Sequence, residues 1–286
     1  MTYDPHSAAP VVVGVDGSDS AMQATRWAVT EAAARHTGLR LVCVVPDYER
    51  TRSHSDLDTR HAQQALSVAA AVAQTGNHLE VQTIVAVGQP SSVLLAQSES
   101  ATMLVVGSTG VGFFPRMLLG STAAALAAQA QCPIVLIRDT CQELPTTRRP
   151  RPVVVGVSGT HLDDALIGAG IHEARTRATH VLAVRAEYAF RPDPHARREA
   201  AAVDEFEEEI RGRSERWQTA LPGVRVDALL TQGSPQAVLT TLSTHAQLVV
   251  VGSRGRGQVE GAVLGSTSQS LIYHGRCSIL VYRECP

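Results

Sequence analysis

Short, almost unbroken apolar runs alternate along the chain with longer stretches in which apolar residues return every three or four positions. In the first half the runs are VVV at 11–13, LRLVCVV at 39–45, LEVQTIVAV at 79–87, MLVV at 103–106 and PIVLIR at 133–138. Runs of that length, rich in valine, isoleucine and leucine, predict parallel strands buried on both faces. Between them, Ala21, Ala24, Ala28 and Ala32 fall at helical spacing within a helix expected over 19–36, and a long helix is expected over about 59–75. GQPSSVLLAQS at 88–98 has Gly88 to break the preceding strand and Pro90 near the first turn of a helix. An alanine-rich helix is expected after Gly120.

The second half repeats the order. Strands are expected at VVV 153–155, THVLAV 179–184, VRVDALLT 224–231, LVVV 248–251 and SILVYR 278–283, with helices over 161–176, about 196–219 and 235–243. Polar, proline-bearing stretches at 46–58 and 186–196 read as exposed crossover loops, and the acidic run DEFEEE reads as a solvated helix face. Residues 103–122 lie over 248–267 without a gap, and ten of those twenty positions are identical, so the chain is a duplication. Strands separated by helices pair in parallel through right-handed crossovers. The fold class expected is α/β: two tandem doubly wound, Rossmann-like domains, each a five-stranded parallel sheet flanked by helices. Their expected bounds are 1–140 and 153–286, joined by a proline-bearing linker at 141–152.

Four glycines, Gly107, Gly110, Gly112 and Gly120, stand between the fourth strand and the helix that follows, and Gly252, Gly255, Gly257 and Gly265 stand at the same places in the second copy. Such a cluster suggests that backbone faces something there. In a doubly wound sheet, ligands sit beyond the carboxyl ends of the strands where the strand order reverses. The turns after strands one and four both end at that point. Gly14, Val15 and Asp16 are thereby expected beside Ser108, Thr109, Val111, Ser121 and Thr122, and Gly156, Val157 and Ser158 beside Ser253, Arg254, Arg256, Ser266 and Thr267. Backbone N–H groups and the hydroxyls at the helix start would hold a phosphate chain there. A tight strand–helix connection without ligand is the plainer alternative, as a turn or capping role is for Asp16 and a solvated position is for Arg254 and Arg256.

Composition removes several chemistries. The chain has no lysine, its 25 basic residues all being arginine, which excludes a lysine-dependent phosphate loop, a protein-kinase site and Schiff-base catalysis. A net charge of −2 gives no general attraction to nucleic acid or anionic membrane, and no apolar run is long enough to span a bilayer. The start MTYDPHSAAP lacks a basic segment followed by an apolar core, so no signal peptide and a cytoplasmic location are expected. The five cysteines form no CxxC pair, and Cys132 and Cys277, at equivalent positions, are expected to be buried at strand entries. Neither the histidines nor Ser18, Ser108 and Ser121 form a nucleophile or metal pattern.

Glycine, two residues, glycine, nine residues, glycine, then serine is the spacing of Gly107, Gly110, Gly120 and Ser121, and again of Gly252, Gly255, Gly265 and Ser266. It resembles the ATP-binding motif of the universal stress protein family. The VVVGVDGS opening and CPIVLIR ending are similar to that family too, and the resemblance covers nearly the whole chain as two tandem copies. The resemblance implies that Asp16 approaches ribose and phosphates and holds Mg²⁺, that Gly14 and Val15 line the pocket, and that the backbone of Val44 and of Val184 contacts adenine. Ser158 stands where the second copy would carry the aspartate, which puts metal binding there in doubt, with Arg254 and Arg256 as an offsetting charge.

The function expected on this basis is a cytoplasmic tandem universal stress protein that binds one ATP per domain and acts as a nucleotide-responsive stress regulator without an evident catalytic base. The alternatives are a slow ATP hydrolase or nucleotidyl-transferring enzyme, and an interaction module with vestigial sites. The strongly apolar closing strands predict a pseudo-dimer of the two domains or a homo-oligomer. The protein partner is not legible.

Overall fold

The computed structural model describes residues 9–47, 52–75, 79–110, 119–138, 150–187, 196–253 and 264–284. Contacts divide the chain near residue 140 into two units.

In the first unit β1 (Val11–Gly14), α1 (Asp19–Arg35), β2 (Leu39–Val45), α2 (Arg52–Gln74), β3 (Val81–Val87), α3 (Pro90–Ser98), β4 (Met103–Gly107), α4 (Ser121–Gln129) and β5 (Ile134–Ile137) follow one another. The strands lie in the order β3-β2-β1-β4-β5, and every pair is parallel. The second unit runs β6 (Val153–Gly156), α5 (Leu162–Thr176), β7 (Val181–Glu187), α6 (Ala196–Gln218), β8 (Val226–Gln232), α7 (Pro235–Leu242), β9 (Leu248–Gly252), α8 (Ser266–His274) and β10 (Ser278–Tyr282). Its order, β8-β7-β6-β9-β10, is the same topology, again all parallel. Each unit is thus the expected five-stranded doubly wound sheet.

The central strands are buried on both faces, as their continuous apolar sequence requires: Val11, Val12 and Val13 of β1 and Leu104 and Val105 of β4 are fully buried. The outer strand β3 shows half-buried and exposed positions instead. Cys132 and Cys277 are fully buried at the entries to β5 and β10. Ser18 caps α1 by accepting the Ala21 N–H, and α1 ends at His36 in the left-handed region with φ 55°. Pro90 and Pro235 open α3 and α7, as expected.

Among the boundaries that differ from the sequence reading, two lie near the crevice or change the length of an element by several residues. Helix α2 begins at Arg52 inside the stretch read as a loop, whose sequence is polar; Leu57 is exposed, and from there the first buried side chain is Ala62. Strand β7 continues three residues past Val184 to Glu187, the ladder holding Arg185 and Glu187 opposite Leu230 and Gln232 despite their charge. The expected linker lies outside the described residues except for its end, where Gln247 donates its backbone N–H to Pro152 and its side-chain amide to Arg151.

Candidate functional site

The strand order reverses between β1 and β4, since the chain leaves β1 toward β2 on one side and returns to β4 on the other. Crevices form at such points beyond the strand ends. After Gly14 and the buried Val15, Asp16 stands exposed, with Oδ1 accepting from the Ser18 N–H at 2.9 Å and Ser18 Oγ at 2.6 Å. This closes an Asx turn through Gly17, whose φ of 85° suits glycine. Gly14 and its counterpart Gly156 serve packing: a Cβ there would press on Leu94 and Val106, or on Leu239 and Val251.

Beyond β4, Ser108 is buried; its N–H donates to the Ile137 carbonyl and its own carbonyl accepts from Gly120 at 2.8 Å. Ser253 does the same with Tyr282 and Gly265, the latter at 2.7 Å. The glycine loop is therefore pinned at both ends to one residue. Thr109 and Gly110 follow Ser108, and a Cβ on Gly110 would lie 2.7 Å from Asp16 Oδ2. The structure thus brings Asp16 against the loop. Gly120 is the N-cap of α4 without a side-chain bond, followed by the exposed Ser121 and half-buried Thr122; Gly265, Ser266 and Thr267 repeat this at α8. In the second unit Ser266 Oγ accepts from Gln236 at 3.0 Å. Val111, Gly112, Arg254, Gly255, Arg256 and Gly257 lie outside the described residues.

The glycines of the motif differ in what they serve. A Cβ on Gly107 would come within 2.3 Å of Ser20 Oγ and 2.9 Å of its carbonyl carbon, so the packing of α1 on β4 is by itself enough to require glycine there. At Gly120 the nearest atom to such a Cβ among the described residues is the Ser108 carbonyl oxygen at 3.6 Å, an ordinary contact, and φ is −74°, open to any residue. Among the described residues nothing requires glycine there.

The ladder sets which way the backbone groups of β2 point. Leu39 donates to Glu80 and Val45 accepts from Gly88, so odd-numbered residues of β2 point toward β3; Val42 accepts from Val15, so even-numbered ones point toward β1. Val44 is the next even residue, and β1 has ended at Gly14. Its N–H and C=O point over the end of β1 as an adjacent donor and acceptor. In the second unit, however, Val184 pairs with Gly156 and accepts from Val157, the station of Val42. The counterpart of Val44 is Ala186. Ending the strand at Val184 in the sequence reading put this position two residues early.

Sequence reasoning also missed a group of charges in the second unit. Asp163, fully buried, accepts from the Ser158 N–H at 3.0 Å and the Gly159 N–H at 2.6 Å. Arg185 lies 3.7 Å from it, forks onto Glu209 at 2.9 and 3.0 Å and stacks on Phe206. The Arg185 hydrogen bond holds the Glu209 carboxyl below its usual range. In the first unit Cys43 is raised to about 11, first by burial and then by the charge of Asp16. We therefore predict that its thiol, ionised to about one part in a thousand at pH 8, resists iodoacetamide in the folded protein while the unfolded chain is alkylated. Mass spectrometry of the Cys43 peptide showing rapid native labelling at pH 8 would contradict this.

A model of the universal stress protein family matches residues 9–138 and 150–283. Universal stress protein Rv2624c of Mycobacterium tuberculosis is 30% identical over 281 residues, covering 96% of this chain and 96% of its own. Among solved structures, a universal stress protein from Archaeoglobus fulgidus matches with TM-score 0.71 at 16% identity over 99% of this chain and 98% of that one. A universal stress protein solved in complex with cAMP matches 46% of this chain and 99% of its own at 27% identity, with TM-score 0.39.

Proposed function

This chain belongs to the universal stress protein family, and on that premise we propose that each unit binds ATP in the crevice beyond β1 and β4, or β6 and β9, and that the protein is a cytoplasmic, nucleotide-responsive regulator. The observation that carries the proposal is the convergence of four features at one strand end: the Asp16 turn, the Gly110 loop against it, the glycine N-cap of α4 and the outward N–H and C=O of Val44. An adenine edge offers an adjacent donor and acceptor, which the Val44 backbone complements; Ala186 does so in the second unit. The phosphates would meet the N-terminus of α4, where Gly120 brings no side chain of its own and Ser121 and Thr122 add hydroxyls. Asp16 would hold Mg²⁺ on them, since its carboxylate is exposed beside the loop; Mg²⁺ takes one or two carboxylates together with phosphate oxygens.

Regulation fits the residues better than turnover does. There is no lysine in the chain, and the carboxylate–hydroxyl pair at the site, Asp16 with Ser18 Oγ, serves the turn and the cap of α1. ATP would order the glycine loops, and a protein partner would sense the ordered state. Among the described residues no helix is long and apolar enough to cross a membrane.

Calorimetry of ATP into the full-length chain should give one nucleotide bound per unit, and Gly120→Leu, whose side chain fills the crevice from an unstrained N-cap, should remove the first of these. ATP released on denaturing the purified protein supports the reading. Release of ADP alone would favour hydrolysis, and a chain that neither carries nor binds nucleotide would overturn the proposal.

A further inference from the structure

The two units carry the same turn after their first strand but hold it with a carboxylate from opposite sides. The register is fixed by Gly14 and Gly156, by the positive φ of Gly17 and Gly159, and by the buried i,i+4 ion pairs Glu31–Arg35 and Glu173–Arg177. In that register Ala21 stands where Asp163 is, and Cys43 stands where Arg185 is. Matching buried Ala62 and Leu66 of α2 with buried Phe206 and Ile210 of α6 puts Ala65 opposite Glu209. In the first unit the Cβ of Ala65 lies 3.5 Å from a Cβ built on Gly17 of the turn. Three small uncharged side chains around one turn are thus exchanged together for an aspartate, an arginine and a glutamate that bind one another.

The consequence is chemical. In the first unit the turn carboxylate, Asp16, is exposed on the crevice side. In the second unit that side carries Ser158, and the carboxylate is Asp163, with no exposed surface, taking the N–H groups of Ser158 and Gly159 from behind. A carboxylate accepting two backbone N–H groups does what a bound phosphate would do at this turn. Its charge is only partly met by Arg185 at 3.7 Å, since both terminal nitrogens of that guanidinium are bonded to Glu209 at 3.0 Å or less. An anion arriving at the turn finds two of its donors used and a negative charge beneath them.

We propose that Asp163 is a specificity-determining residue that makes the second site select its ligand by the adenosine end and discount the phosphates. The proposal rests on the nucleotide reading above. The two sites of one chain would then differ in kind: the first reports a nucleoside triphosphate, and the second accepts adenosine or a nucleotide with a short phosphate chain nearly as well as ATP. The Asp163–Arg185–Glu209 group stands in for the missing phosphate contacts and keeps the turn formed without them.

The test titrates ATP and adenosine separately into two full-length variants. Gly120→Leu closes the first site, and Gly265→Leu, at an N-cap of the same geometry (φ −68°, ψ 151°), closes the second. The preference for ATP over adenosine should be at least about tenfold smaller at the second site than at the first, the size of one charge-assisted contact. Adding Asp163→Asn, which keeps an acceptor for the turn and removes the charge, should raise that preference about tenfold. Equal preferences at the two sites would overturn the proposal even if Asp163→Asn failed to fold. An Asp163→Asn chain that loses ATP and adenosine affinity alike would overturn it too, since Asp163 would then merely support the site. Failure of both ligands to bind at the second site would overturn the nucleotide reading for that unit, and this inference with it.

Discussion

Gly107→Ala is expected to destabilise the first unit by about 1–3 kcal/mol, the usual cost of forcing a methyl into a packed contact, and Gly107→Val by more, with nucleotide binding lost as a secondary effect. The added Cβ would lie 2.8 Å from Ser20 Cβ and 2.9 Å from the Ser20 carbonyl carbon, so α1 must shift away from β4 to admit it. Removing the hydroxyl with Ser20→Ala relieves only the 2.3 Å contact and should restore only part of the loss. Gly120→Ala, in the same motif, should keep the stability of the parent chain, because its φ of −74° and the 3.6 Å distance to the Ser108 carbonyl oxygen leave room for a methyl. It should nonetheless weaken ATP binding at the first site. Urea denaturation and calorimetry on both variants separate the two roles. A Gly107→Ala chain as stable as the parent but unable to bind would return Gly107 to the ligand.

This contrast shows what the sequence can and cannot say about a motif. The spacing of the glycines points to the strand ends beyond β1 and β4, because backbone must come close to something at each position. Whether that something is a ligand or a helix depends on the path of α1 over β4, which no local pattern encodes. The strands of the sheet were legible for a simpler reason: β1, β4, β6 and β9 are buried on both faces and so read as unbroken valine and leucine. Legibility failed where polar residues occupy regular structure. The polar start of α2 looked like a loop, and Arg185 ended β7 too soon on paper although the fold gives its guanidinium Glu209 and the face of Phe206. That single early stop moved the position proposed to face adenine from Ala186 to Val184. Asp163 was hidden differently, as an acidic residue in a first helical turn is commonly a solvated cap. Only its complete burial against the Ser158 and Gly159 amides shows its other use.

The exchange of Asp16 for Ser158 leads to the second large effect, which concerns the metal. With the second site closed by Gly265→Leu, chelating Mg²⁺ should weaken ATP binding to the first site by about tenfold or more, since the metal joins a carboxylate to phosphate oxygens that otherwise repel it. With the first site closed by Gly120→Leu, chelation should change ATP binding little, because Ser158 is neutral and Asp163 is fully buried beneath its turn. Asp16→Ser should then give the first site the metal indifference of the second. Its cost to the fold is small, as the lost Asx-turn bonds are to the Ser18 N–H and hydroxyl at the surface. The reverse exchange, Ser158→Asp, should install metal dependence in the second site only when Asp163 is neutralised as well. Otherwise two carboxylates would hold one turn from both sides, and their mutual repulsion would oppose a triphosphate even with Mg²⁺ present. A first site that binds ATP equally well with magnesium and with chelator would show that Asp16 does not carry the metal, and would leave the carboxylate as the residue that shapes the turn.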